Sequence, residues 1–585
     1  MVKRFHNTIF PVVLLAVIPF ILYNNTLNSP FALDDLHNII ANKAIRVTDL
    51  SFSALADTIR NSLLENRPVA NLSLALNYYL HRYDVFGYHI FNILIHSING
   101  ILLFFFLQHT LLLAGGASSS GSRNLTAFVA VLLWLVHPLQ TQSVTYTIQR
   151  MNSMAAMFYL LSFICYIRAR MSRKGIIKLL LAGAATAAAL LAVGSKENAV
   201  MLPVFILLYE WFFFQDLQLR FTKRHYFILG GLLLFLLAAV FFYLGPDPIA
   251  AVTNYSGRSF TLQERLLTQL RVVVFYGSLV FFPLPARMTL EHDFALSHSL
   301  VDPLTTLFSL AAISATLAAA FLLARRQRLA SFAILWFLGN LLIESSFIPL
   351  EIIFEHRTYL PSMLLVFLLV LIAAKVITPV IIRTVIVVCI ALLLSGWTYA
   401  RNSIWDNDLT LWADIAQKAP AKPRAQMNFG IILSMKGHMD EAMVYLERAV
   451  RLSPDEAIVH YSLGDALMKQ NKYIEASRSY ARALQLEPAN ILARFNLGKS
   501  LASAGKHGNA LFHYRLAAGR DPFISHQVYY FMGNSLFQLG RYAEAVDSYQ
   551  KALQLKPDYG EALLALSNTR KIIRVLKPGQ QEQVP

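Results

Sequence analysis

Asp34 and Asp35 stand side by side in the stretch FALDDLHNIIANKAI, residues 31–45, just beyond the first long apolar run of the chain. Adjacent side chains point in different directions, and two close carboxylates resist joint ionisation, so the pair cannot supply two equivalent bases. A workable division is one general base for an incoming hydroxyl and one group that orients or binds the acceptor. Capping of a short helix opening at DDLHNII is the structural alternative. Three further segments carry cations: Arg150 in YTIQR, Lys196 in GSKEN, and His356 with Arg357 in IIFEHRTYLP. Each falls at the end of an apolar run, where a lipid phosphate would sit and where a cation can offset the charge of a phosphate leaving group. Glu197 and Glu355 adjoin two of them. The bland alternative is long side chains reaching to the membrane surface. No zinc-ligand spacing, phosphate-cradling glycine loop or serine nucleophile elbow is present. HDFALSH, residues 292–298, matches no metal motif and reads as a structural loop, so no metal is expected.

The elements that must position these groups are membrane helices. Of 585 residues, 56% are hydrophobic and only 15% charged, which excludes an ordinary soluble protein. A crossing needs about 20 apolar residues. Candidate spans fall near 8–24, 89–113, 125–138, 152–168, 176–193, 198–214, 226–244, 304–323, 330–346, 358–376 and 380–399, about eleven in all. The run at 266–285 is also apolar, but it holds Arg271 and ends at Pro283 and Pro285, so it is expected to be re-entrant or interfacial. A net charge of +17 would suggest nucleic acid in a soluble chain. Here RARMSRK (168–174), RFTKRH (220–225) and ARRQR (324–328) lie in short loops between apolar runs, which is the positive-inside pattern and implies no nucleic acid. The first run follows Lys3 and Arg4 and lacks a small-x-small cleavage site, so it reads as a retained helix with its N-terminus inside. Cys165 and Cys389 fall in apolar runs and suggest neither a disulfide nor a metal site.

Counting crossings from that end puts the Asp34–Asp35 loop, Arg150, Lys196, Arg357 and everything after Tyr399 on the outer side. The outer loop 25–88 contains SFSALADTIRNSLLE and RPVANLSLALNYYL, read as short helices lying on the membrane surface. His89, Asn92, His96 and Asn99 recur along one face of the second span. Polar groups inside a bilayer turn to a cavity or to another helix. His89 and Asn92 are taken as supporting the site, and hydrogen bonding between helices is the alternative for His96 and Asn99.

Beyond Tyr399 the chain repeats. Pro420, Pro454, Pro488, Pro522 and Pro557 are spaced 34, 34, 34 and 35 residues apart, the period of tetratricopeptide repeats. Gly430, Gly464, Gly498 and Gly533 lie at one position of the unit, Ala442, Ala476, Ala510 and Ala545 at another, and Leu446, Tyr480, Tyr514 and Tyr549 at a third. The expected organisation is a membrane domain over 1–400, a linker and half repeat over 401–422, four repeats over 423–559, and a terminal helix and tail over 560–585. Stacked repeats expose a concave surface suited to extended peptides.

The ordered set FALDDLHNIIAN, RPVANLSLALNYYLHRYDVFGYHIFNILIHSING, QSVTYTIQRMNSMAAMFYLLS, GSKENAVMLPVFILLYE and ESSFIPLEIIFEHRTYLPS, with its tetratricopeptide tail, resembles the transmembrane and tetratricopeptide repeat-containing O-mannosyltransferases and their bacterial relatives. The resemblance spans nearly the whole chain. It implies an all-α fold: a polytopic membrane bundle of the GT-C glycosyltransferase type followed by a repeat solenoid. It also implies inverting, metal-free transfer of a hexose from a polyprenyl-phosphate sugar, with that lipid-linked sugar as co-substrate and no other cofactor. On this reading Asp34 or Asp35 is the base, while Arg150, Lys196, His356 and Arg357 hold the donor phosphate and Glu197 and Glu355 support them. The repeats would dock a protein acceptor outside the inner membrane of a bacterial cell, since animal members generally carry longer arrays. Two alternatives stay open: an enzyme or ligase of the same superfamily that glycosylates an envelope glycan or lipid, and a non-enzymatic membrane-anchored repeat scaffold.

Overall fold

The computed structural model describes residues 2–64, 66–115, 119–218, 230, 231, 234, 241, 245–247, 250 and 253–576. Among them every regular element is a helix. The chain divides into two compact units, Met1–Leu411 and Trp412–Pro585.

In the first unit seven helices are long and apolar enough to cross a membrane: Val85–Leu113, Thr147–Met171, Gly175–Val193, Glu197–Phe214, Thr305–Leu323, Glu355–Val376 and Val380–Asp406. An eighth is obtained if Ser120–Leu135 and Pro138–Val144, bent by 57°, form one span. The count of about eleven is therefore not reached among the described residues. Of the expected spans, the first is the apolar helix Val2–Leu22 and another is the shorter apolar helix Arg328–Leu341, and the run at 226–244 lies outside the described residues apart from 230, 231, 234 and 241. The stretch expected to be re-entrant or interfacial is a continuous helix, Leu262–Phe281, opened by a capping box between Thr261 and Glu264. It stops just before Pro283, because a helix cannot continue into a residue that lacks an amide hydrogen.

Lipid tails are as apolar as leucine, so burial of apolar surface gives membrane helices little reason to associate; close packing and hydrogen bonds must do it. Both occur. Trp336 on Arg328–Leu341 lies 5.3–5.8 Å from the rings of Phe205, Tyr159, Phe163 and Phe106, so helices from four parts of the chain meet at one aromatic cluster. Ten residues before Phe106 on the Val85–Leu113 helix, His96 Nδ1 lies 2.7 Å from the Tyr359 hydroxyl and Nε2 lies 3.1 Å from the Leu135 carbonyl. Asn99 donates to the Ser153 carbonyl and to the same Tyr359 hydroxyl, at 2.9 and 3.2 Å. His96 and Asn99 are thus helix-to-helix fasteners.

The second unit is built of helix pairs: Pro423–Met435 with Met439–Leu452, Ala457–Lys469 with Tyr473–Leu486, Ile491–Ser503 with His507–Ala517, and Ser525–Gln538 with Tyr542–Leu555, closed by Gly560–Leu576. The recurring glycine has a steric cause. A Cβ at Gly464 would sit 2.8 Å from Tyr480 Cε1, and at Gly498 2.5 Å from Tyr514 Cε1. Only a bare Cα lets the ring of the paired helix lie against the backbone. The third recurring residue is buried in every unit, at Leu446, Tyr480, Tyr514 and Tyr549.

Candidate active site

The acidic pair sits on a sharp turn. Leu33 has φ +53°, a left-handed conformation in which its Cβ crowds the backbone. That bend is closed by the Asp35 amide donating to the Ala32 carbonyl at 2.9 Å. The two carboxylates part company here. Asp35 is 1% exposed; its Oδ2 accepts from the Ala32 amide at 3.1 Å and its Oδ1 from the Ile148 amide at 2.7 Å. It makes no capping bond to the turn Leu36–Ile40 that follows, so simple capping is not its role. Burial pushes its pKa up to about 7, the bonds to Ala32 and Ile148 pull it back, the Asp34 charge raises it and Arg150 lowers it. Asp34 is exposed. Its amide donates to the Tyr146 hydroxyl at 2.8 Å and its carbonyl accepts from Asn38 at 2.9 Å, so the backbone is held, and the carboxylate of this exposed residue lies within reach of the same Tyr146 hydroxyl. Tyr146 is fixed in turn against Trp405, with ring centroids 5.2 Å apart.

Three segments, at Ser143, at Lys196 with Asn198, and at His356, converge on the next layer through Asn152, at the start of the Arg150–Met171 helix. Its Nδ2 donates to the His356 carbonyl at 2.6 Å and to Ser143 Oγ at 3.2 Å. Its Oδ1 accepts from Lys196 Nζ and from Asn198, each at 3.3 Å. Lys196, 3% exposed, pairs with Glu344 at 2.7 Å. Beside them Glu197 receives Nε and Nη2 of Arg67 at 3.1 and 2.8 Å, which ties the outer loop to the GSKEN turn. Gln142 bridges two more segments, accepting from the His356 amide and donating to the Thr289 carbonyl, both at 3.2 Å.

The EHR segment is buried throughout. Glu355 accepts from the Thr289 amide at 2.6 Å and faces His292 at 3.4 Å and Arg401 at 3.7 Å. The loop HDFALSH therefore enters the site through His292 alone. The His356 ring stacks on Phe354 with centroids 5.1 Å apart, and the Arg357 guanidinium lies 5.5 Å from the same ring. Arg357 also donates to the Ile352 carbonyl at 3.2 Å. The strand of chain leading to this segment is pinned by Arg265, which donates to the carbonyls of Glu344, Ser346, Leu350 and Glu351.

Arg150 is placed differently from the other cations. It is completely buried; its guanidinium donates to Asn77, to the Ser73 carbonyl and to the Tyr88 carbonyl, and lies 4.9 Å from the centre of Phe91. His89 lies 2.9 Å from the Ser29 carbonyl, and Asn92 donates to the carbonyls of Val144 and Thr147. These three residues hold together the frame on which the aspartates sit.

Residue types alone left out Arg67, Gln142, Asn152, Arg265, Glu344 and Arg401. Glu344 carried a usable signal, being the one acid in the apolar run 329–350; an ionisable group there needs a partner and a purpose. Arg67 and Asn152 carry none, since their significance comes from segments far away in sequence.

Family models described as tetratricopeptide repeats match residues 423–456, 464–505 and 526–559. Among curated proteins, the Caenorhabditis elegans protein named Protein O-mannosyl-transferase F38B6.6 is 23% identical over 75% of this chain and 62% of its own length. The Homo sapiens Protein O-mannosyl-transferase TMTC3 is 24% identical over 78% of this chain and 53% of its own. The chain thus spans little more than half the length of these relatives. Among solved structures, YrrB, described as a TPR protein with an unusual peptide-binding site, is 25% identical over 30% of this chain and 88% of that one, with a TM-score of 0.25.

Proposed function

The chain is a membrane-spanning, repeat-bearing relative of the protein O-mannosyl-transferases, and from that premise we propose that it is a protein O-glycosyltransferase that takes a hexose, mannose in the first instance, from a polyprenyl-phosphate donor. The transfer takes place on the extracytoplasmic side of the inner membrane, consistent with the basic loops 168–174 and 324–328 at the opposite ends of the helices. The observation that carries this reading is the split of the aspartates: Asp34 exposed on a strained turn, Asp35 buried behind it.

The acceptor hydroxyl gives its proton to the Asp34 carboxylate as its oxygen attacks the anomeric carbon. The new glycosidic bond forms as the bond from that carbon to the phosphate oxygen breaks, and the electron pair leaves with the polyprenyl phosphate. Attack opposite the leaving group inverts the anomeric centre. Asp35 acts through Asp34: anchored to Ala32 and Ile148, it holds the turn at its required angle. The leaving phosphate meets Lys196, His356 and Arg357, whose loops are all tied through Asn152, Gln142 and Arg265. Glu197 and Glu355 fix Arg67 and Arg401 beside them. Arg150, with its guanidinium spent on Asn77, Ser73 and Tyr88, positions the frame instead of binding phosphate. Single-turnover transfer from a synthetic polyprenyl-phosphate mannose to a Ser/Thr peptide tests the assignment: loss in Asp34→Asn with intact folding is expected, and full activity there would overturn it.

A further inference from the structure

Arg67 stands at the head of the helix Pro68–His81 in the outer loop. The Val69 amide next to it donates to the Gly194 carbonyl at 3.0 Å, so this end of the helix is seated on the turn that carries Lys196. The guanidinium is engaged unevenly. Nε and Nη2 meet the two oxygens of Glu197 at 3.1 and 2.8 Å, a fork that fixes the plane of the group. Nη1 faces Met151 Sδ at 2.8 Å, and a thioether is a weak acceptor. One edge is therefore clamped by a carboxylate, and the other can give its hydrogens to a stronger acceptor.

Its surroundings point to an anion. The charges of Arg67, Lys196 and Arg357 all act on the His356 ring, so the four groups lie in one neighbourhood. Within it Arg67 is the outermost: its side chain is 22% exposed against 3% for Lys196, and His356 and Arg357 are buried. The charges do not cancel. Arg67 is matched by Glu197 and Lys196 by Glu344, whereas Arg357 forms no ion pair among the described residues and bonds to the Ile352 carbonyl. Three cations against two carboxylates leave one positive charge, and a phosphodiester carries one negative. His356 Nδ1 and Arg357 Nε are also buried without a hydrogen-bond partner among the described residues, and buried polar atoms of this kind are completed by a ligand or by water.

We propose that Arg67 is a ligand of the donor's phosphodiester, meeting it through Nη1, and that Glu197 is a positioning residue that holds the guanidinium in place for that contact. This rests on the reading of Lys196, His356 and Arg357 as the phosphate site. As the most exposed of the four, Arg67 meets the incoming phosphate ahead of Lys196, and Glu197 keeps its charge in place before the donor arrives.

The test measures binding of a non-cleavable donor analogue to the full-length protein in detergent: a polyprenyl mannosyl phosphonate in which a methylene replaces the anomeric oxygen and the single negative charge is kept. R67Q should weaken binding by about 10–100-fold. R67K should fail to restore it, because one ammonium cannot grip Glu197 by a fork and offer a second edge. E197Q removes a negative charge beside the phosphate and should tighten binding. A merely structural tie between the outer loop and the GSKEN turn would make both R67Q and E197Q weaken it, so weakening in E197Q, or wild-type affinity in R67Q, overturns the proposal. If the variants fail to fold, the wild type decides. Modification of Arg67 by phenylglyoxal, followed by mass spectrometry, should slow when the phosphonate is bound and not with the uncharged polyprenol, while Arg451, 65% exposed in the second unit, should react at one rate throughout. Equal modification of Arg67 with and without the phosphonate overturns the proposal. Transfer that persists in Asp34→Asn would refute the catalytic reading and leave the binding result standing, so the two failures are distinguishable.

Discussion

Asp35→Asn is the substitution whose consequence can be worked out furthest. In the unfolded chain an aspartate titrates near 3.9, whereas burial holds Asp35 up to about 7 in the folded protein. Between those values the native state keeps a proton that the unfolded state has released. The stabilisation is complete below the unfolded value and is lost as pH rises through the folded one, at about 1.4 kcal/mol per pH unit. From pH 5 to pH 8 this amounts to about 2–3 kcal/mol. Because Asp35 is 1% exposed, solvent screening takes little from that figure. Asparagine does not titrate, so the variant should lack this slope. It should also show a pH-independent deficit of about 1–3 kcal/mol, because its NH₂ replaces one of the two oxygens that accept the Ala32 and Ile148 amides. The assay is unfolding of the purified full-length protein in detergent, followed by tryptophan fluorescence at half-unit pH steps, with Asp34→Asn as the exposed control. The stability gap between wild type and Asp35→Asn should narrow, or change sign, by about 2–3 kcal/mol towards pH 8. Parallel curves for the two proteins would refute the claim that Asp35 is buried in its charged form at a cost.

Asp34→Asn should lower single-turnover transfer by about 10²–10⁴-fold while leaving the melting temperature and donor binding near wild type. Lys196→Ala leaves Glu344 buried without its cation and should cost about 3–5 kcal/mol, whereas Lys196→Met with Glu344→Leu should cost clearly less, read by thermal melting. Arg265→Leu frees four carbonyls in the 344–351 segment, so activity should fall together with protection of that segment in hydrogen exchange; protection unchanged from the wild type would show that the segment does not depend on Arg265. In the second unit, Gly498→Ala pushes a methyl to within 2.5 Å of Tyr514 and should cost about 1–3 kcal/mol. Gly508→Ala, which meets open space, should be neutral or slightly stabilising in the same melt.

The repeat unit was legible in detail because its physics is local and periodic. In the second, third and fourth repeats a glycine that must admit a ring, and the ring it admits, lie 16 residues apart, as with Gly464 and Tyr480 or Gly498 and Tyr514, so the spacing alone exposes the packing. Membrane helices were legible for a similar reason, since hydrocarbon imposes a length of apolar residues that is visible in any window. The count of about eleven is not reached among the described residues, where Arg328–Leu341 is a shorter apolar helix.

The candidate site divides along another line. The sequence by itself determined which chemical types were available: a carboxylate pair, cations at the ends of apolar runs, and the absence of the usual metal-ligand spacings. It could not separate Asp34 from Asp35, because adjacent residues share a local environment and differ only in what comes across from elsewhere. The tertiary structure decided that, through the Ile148 amide on Asp35 and the Tyr146 hydroxyl on the Asp34 backbone, each more than 100 residues away. It likewise turned Arg150 inward onto Asn77 and brought in Arg67, Asn152 and Glu344, whose partners come from distant loops. A buried charge is defined by its partner, and the partner is chosen by the fold.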